Sequence, residues 1–358
     1  MSQLTIWRIL DAALNRAGEG LRVVEDYVRF VAEDAFLTAE VKELRHDLAA
    51  AAMLVTATDR NAARDTLTDV GTGVSAPSEG QRRDSWDVCA ASFKRSEQSL
   101  RSLEEFGKLA NADFADRCES LRYRLYTLEK AIDIGRTSGE LLEDVRLCVL
   151  VDCRDSAADF EQLAAALIEA RVGMIQLRDK QLDDRELVER GLLLRQLTRG
   201  TTTLAIVNDR ADIAAAVDAD GVHLGQEDLK VKDARAIVGT RALVGISTHN
   251  IKQARAAVLD GANYLGAGPS FPSRTKSFED FSGPEFLREI AAEIRLPTFA
   301  IGGISIDNLA DVLATGIGRV AVGGALMNAK DPGSAARALL CMLKSSTVQT
   351  VSPSGSRT

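Results

Sequence analysis

Absences narrow the field first. The chain has five cysteines, Cys89, Cys118, Cys148, Cys153 and Cys341, an odd number with no CxxC pair and no zinc-like spacing. That pattern suits reduced structural thiols in a cytoplasm and disfavours a disulfide framework or a zinc site. No uninterrupted apolar run approaches the ~20 residues that a membrane span needs. The opening stretch MSQLTIWRILDAALNR is broken by Arg8, Asp11 and Arg16, unlike a signal peptide. Positive charge is not in excess either: 44 Lys and Arg against 52 Asp and Glu leave a net −8, so nothing is available to displace counterions from a nucleic acid. No GxxxxGK[ST] loop occurs, and no GxGxxG opens a helix after the first apolar strand.

What is present divides into two grammars. At 358 residues the chain suits two domains. Leu10, Leu14, Ala17, Leu21, Val24, Val28 and Val31 recur at spacings of four and three, the apolar stripe of an amphipathic helix. Leu37, Val41, Leu44 and Leu48 repeat it, and helical stretches follow around Trp86–Leu109 and Phe114–Ile132. The break between them is a Gly-, Thr- and Ser-rich loop from Asp65. Residues 1–138 therefore read as a small all-α bundle. A short link around Thr137-Ser138-Gly139 follows.

From Leu147 short apolar strands alternate with amphipathic helices. The strands are expected at Leu147–Val151, Val172–Leu177, Thr203–Val207, Gly221–Leu224, Ala242–Ile246, Tyr264–Ala267, Thr298–Ile301 and Arg319–Val322. Eight such units predict a (β/α)8 barrel, α/β in class, over residues 145–344. A doubly wound open sheet is the runner-up. The tail, 345–358, is polar and rich in Ser and Thr, and is expected to be disordered.

In such a barrel, chemistry sits where strands end. Strand two ends in Gln176-Leu177-Arg178-Asp179-Lys180. Alternate residues share a face, so Gln176, Arg178 and Lys180 converge, and an Arg with a Lys seats a polyanionic phosphate. Asn208 and Asp209 end strand three, Asp228 follows strand four, and Ser247 ends strand five. Asp209 and Asp228 thus lie on neighbouring loops, and with a phosphate nearby they suit Mg2+. Singly, Asp209 also reads as a helix cap. Gly302-Gly303 and Gly323-Gly324 follow strands seven and eight, where bare backbone N–H groups can approach an anion; singly, Gly302-Gly303 is a tight turn.

Taken in order, QLRDK, VNDRADIAAAVDADGVHLGQED, GIS, GAGPSFPSRTK and IGGIS resemble the motifs of the thiamine-phosphate synthases across Leu147 to Leu343. The resemblance implies condensation of 4-amino-2-methyl-5-hydroxymethylpyrimidine diphosphate with a thiazole phosphate, carboxylated or not, with release of pyrophosphate. It implies that Gln176, Leu177, Arg178, Asp179, Lys180 and Asn208 grip the pyrimidine diphosphate. It places Mg2+ on Asp209 and Asp228, and Ser247 and Lys276 on the diphosphate. It puts Ser273, Arg274, Thr275, Gly303, Gly323 and Gly324 around the thiazole phosphate. Such chemistry needs no nucleophilic side chain; it needs fixed positive charge around departing oxygens, which gives Arg178, Lys180, Lys276 and Ser247 the catalytic roles. His249 follows Ser247 as in the family's S-x-H, and is read as structural as readily as functional.

In the helical half, Asn15, Glu19, Arg22 and Asp26 follow i, i+4, i+7 and i+11 and share one helix face. They form a candidate second site, or else a solvated face. The loop from Arg64 to Gly73 carries hydroxyls and glycines that suit a phosphate. NRAGEGLRVVEDYVRF, RDTLTDVGTG and LRYRLYTLEK resemble the helical domain fused ahead of some thiamine-phosphate synthases and assigned as a hydroxymethylpyrimidine phosphate kinase. That resemblance implies ATP as a further substrate. Two alternatives stay open, a helical half that only assembles or regulates the synthase, and a decayed barrel that senses thiamine phosphate. A homo-oligomer also stays open.

Overall fold

The computed structural model describes residues 2–66, 69, 81–272 and 283–347. The chain forms two compact units, Met1–Asp133 and Ile134–Thr358. The first consists of α1 (Gln3–Phe30), α2 (Ala35–Ala52), α3 (Ala57–Ala63), α4 (Ser85–Gly107) and the greater part of α5 (Ala112–Leu141). Side-chain caps start four of these helices. Ser2, Asp34, Asp84 and Asn111 accept from the backbone N–H three residues on, offsetting donors a helix start leaves unpaired.

The expected stripe is the buried face of α1, from Leu10 to Val28. Val31 departs from it: the helix stops at Phe30, and Val31 caps it, 54% exposed. The seven-residue α3 falls in a stretch whose sequence carries no apolar stripe. The expected link at Thr137-Ser138-Gly139 is helical, within α5. Ser138 is buried and accepts from Nδ2 of Asn263 at 3.0 Å, so this turn of helix belongs to the second unit's packing.

That unit is a closed barrel of β1 (Leu147–Val151), β2 (Met174–Leu177), β3 (Leu204–Asn208), β4 (Gly221–Leu224), β5 (Leu243–Thr248), β6 (Tyr264–Ala267), β7 (Thr298–Ile301) and β8 (Val320–Val322). Every neighbouring pair is parallel, and β8 returns to β1 through Leu147–Val320 and Cys148–Ala321, so no edge is left open. The helices alternate with the strands: α6 (Ala157–Glu169), α7 (Asp184–Thr198), α8 (Ala211–Ala216), α9 (Val231–Val238), α10 (Ile251–Asp260), α11 (Gly283–Glu293), α12 (Leu309–Leu313), α13 (Gly324–Met327) and α14 (Pro332–Thr347). Helix α14 runs three residues into the segment expected as a disordered tail; 348–358 lie outside the described residues. None of the described helices is long and apolar enough to cross a membrane.

Inside the barrel, Cys148, Met174, Ile206, Leu243, Tyr264, Phe299 and Ala321 pack together over Leu142 and Val145. Two residues further along β2, β3 and β4 the inward positions turn polar: Gln176, Asn208 and His223. Tyr264 and His223 fill space that two glycines vacate. A Cβ on Gly245 would lie 2.1 Å from Tyr264 Cζ and 2.6 Å from His223 Nδ1. Gly245→Ala should therefore force both rings to shift and cost about 1–3 kcal/mol, the usual scale of overpacking. Urea denaturation measures it, and an unmoved midpoint would contradict the packing described.

Candidate active site at the C-terminal rim of the barrel

Because the strands are parallel, their C-terminal ends share one rim. Met174 faces the interior cluster, so Gln176 shares that face. Gln176 is buried and donates Nε2 to Asn208 Oδ1 at 3.1 Å, joining β2 to β3. Arg178 follows, half-buried, its backbone N–H held by the Val151 carbonyl at 2.8 Å, and Lys180 is exposed beyond it. Leu177 is offset by one residue and buried, on the face away from the interior.

The Asp179 carboxylate has a different occupation. It accepts from the backbone N–H groups of Cys153 (3.1 Å), Gln181 (2.8 Å) and Leu182 (3.3 Å), which fixes the loop after β2 against the loop after β1. Burial, the largest single influence, pushes its pKa up, but the three N–H groups together bring it below the ordinary value.

Asp209 sits in the left-handed region, φ +62, a conformation non-glycine residues adopt at a cost. Its N–H donates to the His223 carbonyl at 2.8 Å. Its carboxyl pKa is raised, first by burial, then by hydrogen bonding to and repulsion from Asp228, with Lys180 and Arg178 pulling the other way. Asp228 therefore lies within hydrogen-bonding reach of Asp209, and Arg178 and Lys180 lie near enough to act on the charge of Asp209. Asp228 Oδ2 accepts from Gly225 N at 2.6 Å, which holds the second carboxylate in place. Among the described residues no cluster of three or more His, Cys, Asp or Glu could hold a metal. A pair of carboxylates with oxygen-only donors fits a hard divalent cation that takes its other ligands from phosphate and water.

Sequence reasoning quoted the His223 motif without giving the residue a role. His223 is buried, with Nε2 2.9 Å from Ser247 Oγ and Nδ1 3.2 Å from the Tyr264 hydroxyl. Burial pushes the imidazole down to about 4 and the phenol well above its usual value, so both stay neutral. A neutral imidazole donates through one ring nitrogen and accepts through the other, so His223 bridges the Tyr264 and Ser247 hydroxyls and fixes the position of Ser247. The available signal was positional: Gly221-Val222-His223 puts His223 on the inward face, opposite Gly245.

On the other side of the rim, Gly302 and Gly303 have φ +99 and +65. A Cβ on Gly303 would lie 2.7 Å from the Pro272 carbonyl, so the close approach requires glycine. Asn308 Nδ2 donates to the Gly303 carbonyl at 2.8 Å. Gly323 precedes α13 and Gly324 opens it. Arg154, absent from the expected set, donates Nη2 to the Met327 carbonyl at 3.0 Å and ties the loop after β1 to that turn. His249 donates Nδ1 to the Gly268 carbonyl at 2.5 Å, a loop tie. Ser273, Arg274, Thr275 and Lys276 lie outside the described residues.

In the helical unit, Asn15, Glu19, Arg22 and Asp26 are exposed along α1, as the spacing predicts. The buried carboxylates beside them, Asp11 and Glu25, were missed because they interrupt an otherwise apolar face. Glu25 is held by Arg45 Nε at 2.8 Å and Arg22 Nη1 at 3.4 Å. Of the loop expected to follow Arg64, residues 67, 68 and 70–80 are outside the described set.

A buried neutral histidine has a pH signature. His223 titrates near 4 in the fold against 6.5 when solvated, so the unfolded chain binds the proton first and stability is lost as pH falls from about 6.5 toward 4. His223→Gln should flatten that part of the stability curve, read by urea denaturation at successive pH values. An identical slope in the variant would mean that His223 is not buried in neutral form.

Comparison with known proteins agrees with this geometry. Residues 147–326 match the thiamine monophosphate synthase family and residues 8–131 the ThiD2 family. A thiamine-phosphate synthase of Rhodopirellula baltica is 45% identical over 331 residues, 90% of this chain and 88% of that protein. One of Nostoc punctiforme is 39% identical over 341 residues, 95% of each. The solved structure of a thiamine phosphate pyrophosphorylase from Pyrococcus furiosus superposes with a TM-score of 0.51 at 38% identity, covering 56% of this chain and 96% of that one. The chain belongs to the thiamine monophosphate synthase family, with a ThiD2-family helical unit ahead of its barrel.

Proposed function

We infer that the barrel is a thiamine-phosphate synthase, a transferase that joins the pyrimidine methylene carbon to the thiazole nitrogen. The C–O bond to the diphosphate breaks, the C–N bond forms, and pyrophosphate leaves with the electron pair. What supports this is the placement of Asp209, tied by its N–H to β4, beside Asp228 on the next loop, with Arg178 and Lys180 near enough to act on its charge.

Gln176 and Asn208, already bonded to each other, present their remaining amide groups to the pyrimidine. Arg178 and Lys180 bind diphosphate oxygens, and Ser247, oriented by His223, adds a hydroxyl donor. Leu177 and Asp179 shape the strand end rather than touch the ligand through their side chains. Asp209 and Asp228 would hold Mg2+, which when bound would offset the charge of the diphosphate. Gly303, Gly323 and Gly324 leave backbone N–H groups for the thiazole phosphate. Ser273, Arg274 and Thr275 are assigned to the same phosphate, and Lys276 to the leaving diphosphate, from their sequence positions alone.

Charge placed before the bond breaks costs no reorganisation as it breaks. Removing one such donor typically costs ~2.7–4 kcal/mol in barrier. Arg178→Ala and Lys276→Ala should each lower turnover about 100-fold or more on that scale, in a pyrophosphate-release assay. Asp228→Asn should raise the Mg2+ concentration needed for half-maximal rate. Near-native turnover in Arg178→Ala, or release indifferent to Mg2+, would refute the assignment.

The ThiD2-family match favours a second activity in the helical unit, phosphorylation of the pyrimidine monophosphate by ATP. The full chain, given ATP and that monophosphate, should form ADP. Absence of ADP would leave the unit an assembly or regulatory module. The five free cysteines suit a cytoplasmic enzyme.

A further inference from the structure

The helical unit holds more positive charge around one carboxylate than its fold requires. Asp11 lies in the buried face of α1, 4% exposed, yet takes two guanidinium groups. Arg64, just after α3, makes a fork: Nε to Oδ2 at 2.7 Å and Nη2 to Oδ1 at 2.9 Å. Arg60 of α3 places Nη1 3.8 Å from Oδ1. One turn to either side on α1, Arg8 donates to the Asp65 carbonyl at 2.8 Å and Asn15 lies 3.5 Å from Asp11 Oδ2.

One arginine neutralises one buried carboxylate. The second is surplus, and Nε of Arg60 is buried with no hydrogen-bond partner among the described residues, an arrangement that is costly when nothing fills it. The fork on Asp11 engages two of the five N–H donors of Arg64, whose side chain is 48% exposed. Asp11 thus fixes a planar guanidinium that still presents donors to solvent, next to Arg8 at 39% exposure. Arg8 also lies 3.9 Å from the Asp65 carboxylate, so three guanidinium groups meet two carboxylates, a balance that leaves room for an added oxyanion.

We propose that Arg8, Arg60 and Arg64, positioned by Asp11 and flanked by Asn15, form a binding site for the phosphate group of a small phosphorylated molecule. Asp11 is a positioning residue: it orients Arg64 and does not touch the ligand. The site deepens the kinase assignment of the helical unit and rests on it for the choice of probes, ATP and the pyrimidine monophosphate.

The test is calorimetric titration of each probe into the full chain carrying Arg178→Ala, which disables the barrel's diphosphate seat. At least one probe should bind saturably. Arg60→Gln, which removes only a long contact to Asp11 and so spares the fold, should weaken that binding tenfold or more. Arg64→Lys, which keeps the charge and loses the fork, should weaken it as well, with circular dichroism melts confirming folded protein. Binding of neither probe, or binding indifferent to both substitutions, overturns the site. Arginine-dependent binding without ADP formation keeps the site and refutes the kinase; ADP formation indifferent to Arg60→Gln does the reverse.

Discussion

Two carboxylates at one rim, Asp209 and Asp228, set the terms for the rest of the barrel mouth. Neighbouring like charges repel, and burial of Asp209 adds to the cost, so its carboxyl pKa is raised. Three things offset it: a shared proton, a divalent cation, or the positive ends of Arg178 and Lys180. The protein adds strain on top, since Asp209 occupies the left-handed region at a cost on the order of 1–3 kcal/mol. That conformation holds because the Asp209 N–H is bonded across to β4 and the Asp228 carboxylate is bonded to its own loop backbone.

Rigidity here follows from the alternation of strand residues. Outward positions such as Leu177 and Val207 lock the strands against the helices. Inward positions change from an apolar floor, sealed by Leu142 and Val145, to a polar upper layer. Tyr264 and His223 stand at that transition, 5.4 Å between ring centroids, and the ring of Phe299 meets Tyr264 edge-on from below. Aromatic packing therefore fixes the imidazole, and the imidazole fixes Ser247. Positional accuracy at the rim is inherited from the core, through glycines at 245 and 266 whose lack of a side chain makes room.

The barrel itself was legible because period-two alternation and punctuation by turns are local signals. Four of the eight strands have the expected bounds, and the others differ by at most two residues at an end. The convergence of Gln176, Arg178 and Lys180 is likewise written in their spacing. What was not legible depends on partners distant in sequence. The Tyr264–His223–Ser247 line joins three strands, and no one of its residues signals it. Asp179 lies among ligand-binding types, and only the backbone of Cys153 reveals its structural task. Thr137-Ser138-Gly139 has the composition of a linker, yet it is helical, and Ser138 accepts from Asn263. In the helical unit, Asp11 and Glu25 look like flaws in an apolar stripe until Arg64 and Arg45 are seen to meet them.

The two units treat buried charge in opposite ways. In the barrel, two carboxylates sit side by side at the rim, with Arg178 and Lys180 near enough to act on the charge of Asp209. In the helical unit three buried carboxylates each meet two arginines: Asp11 meets Arg60 and Arg64, Glu25 meets Arg22 and Arg45, and Glu104 meets Arg101 and Arg122. Dismantling such a pair leaves an unpaired buried charge, typically at a cost of ~3–5 kcal/mol, so the carboxylates are anchors and the arginines are what they hold. An anchored guanidinium loses little further freedom when an oxyanion docks on it.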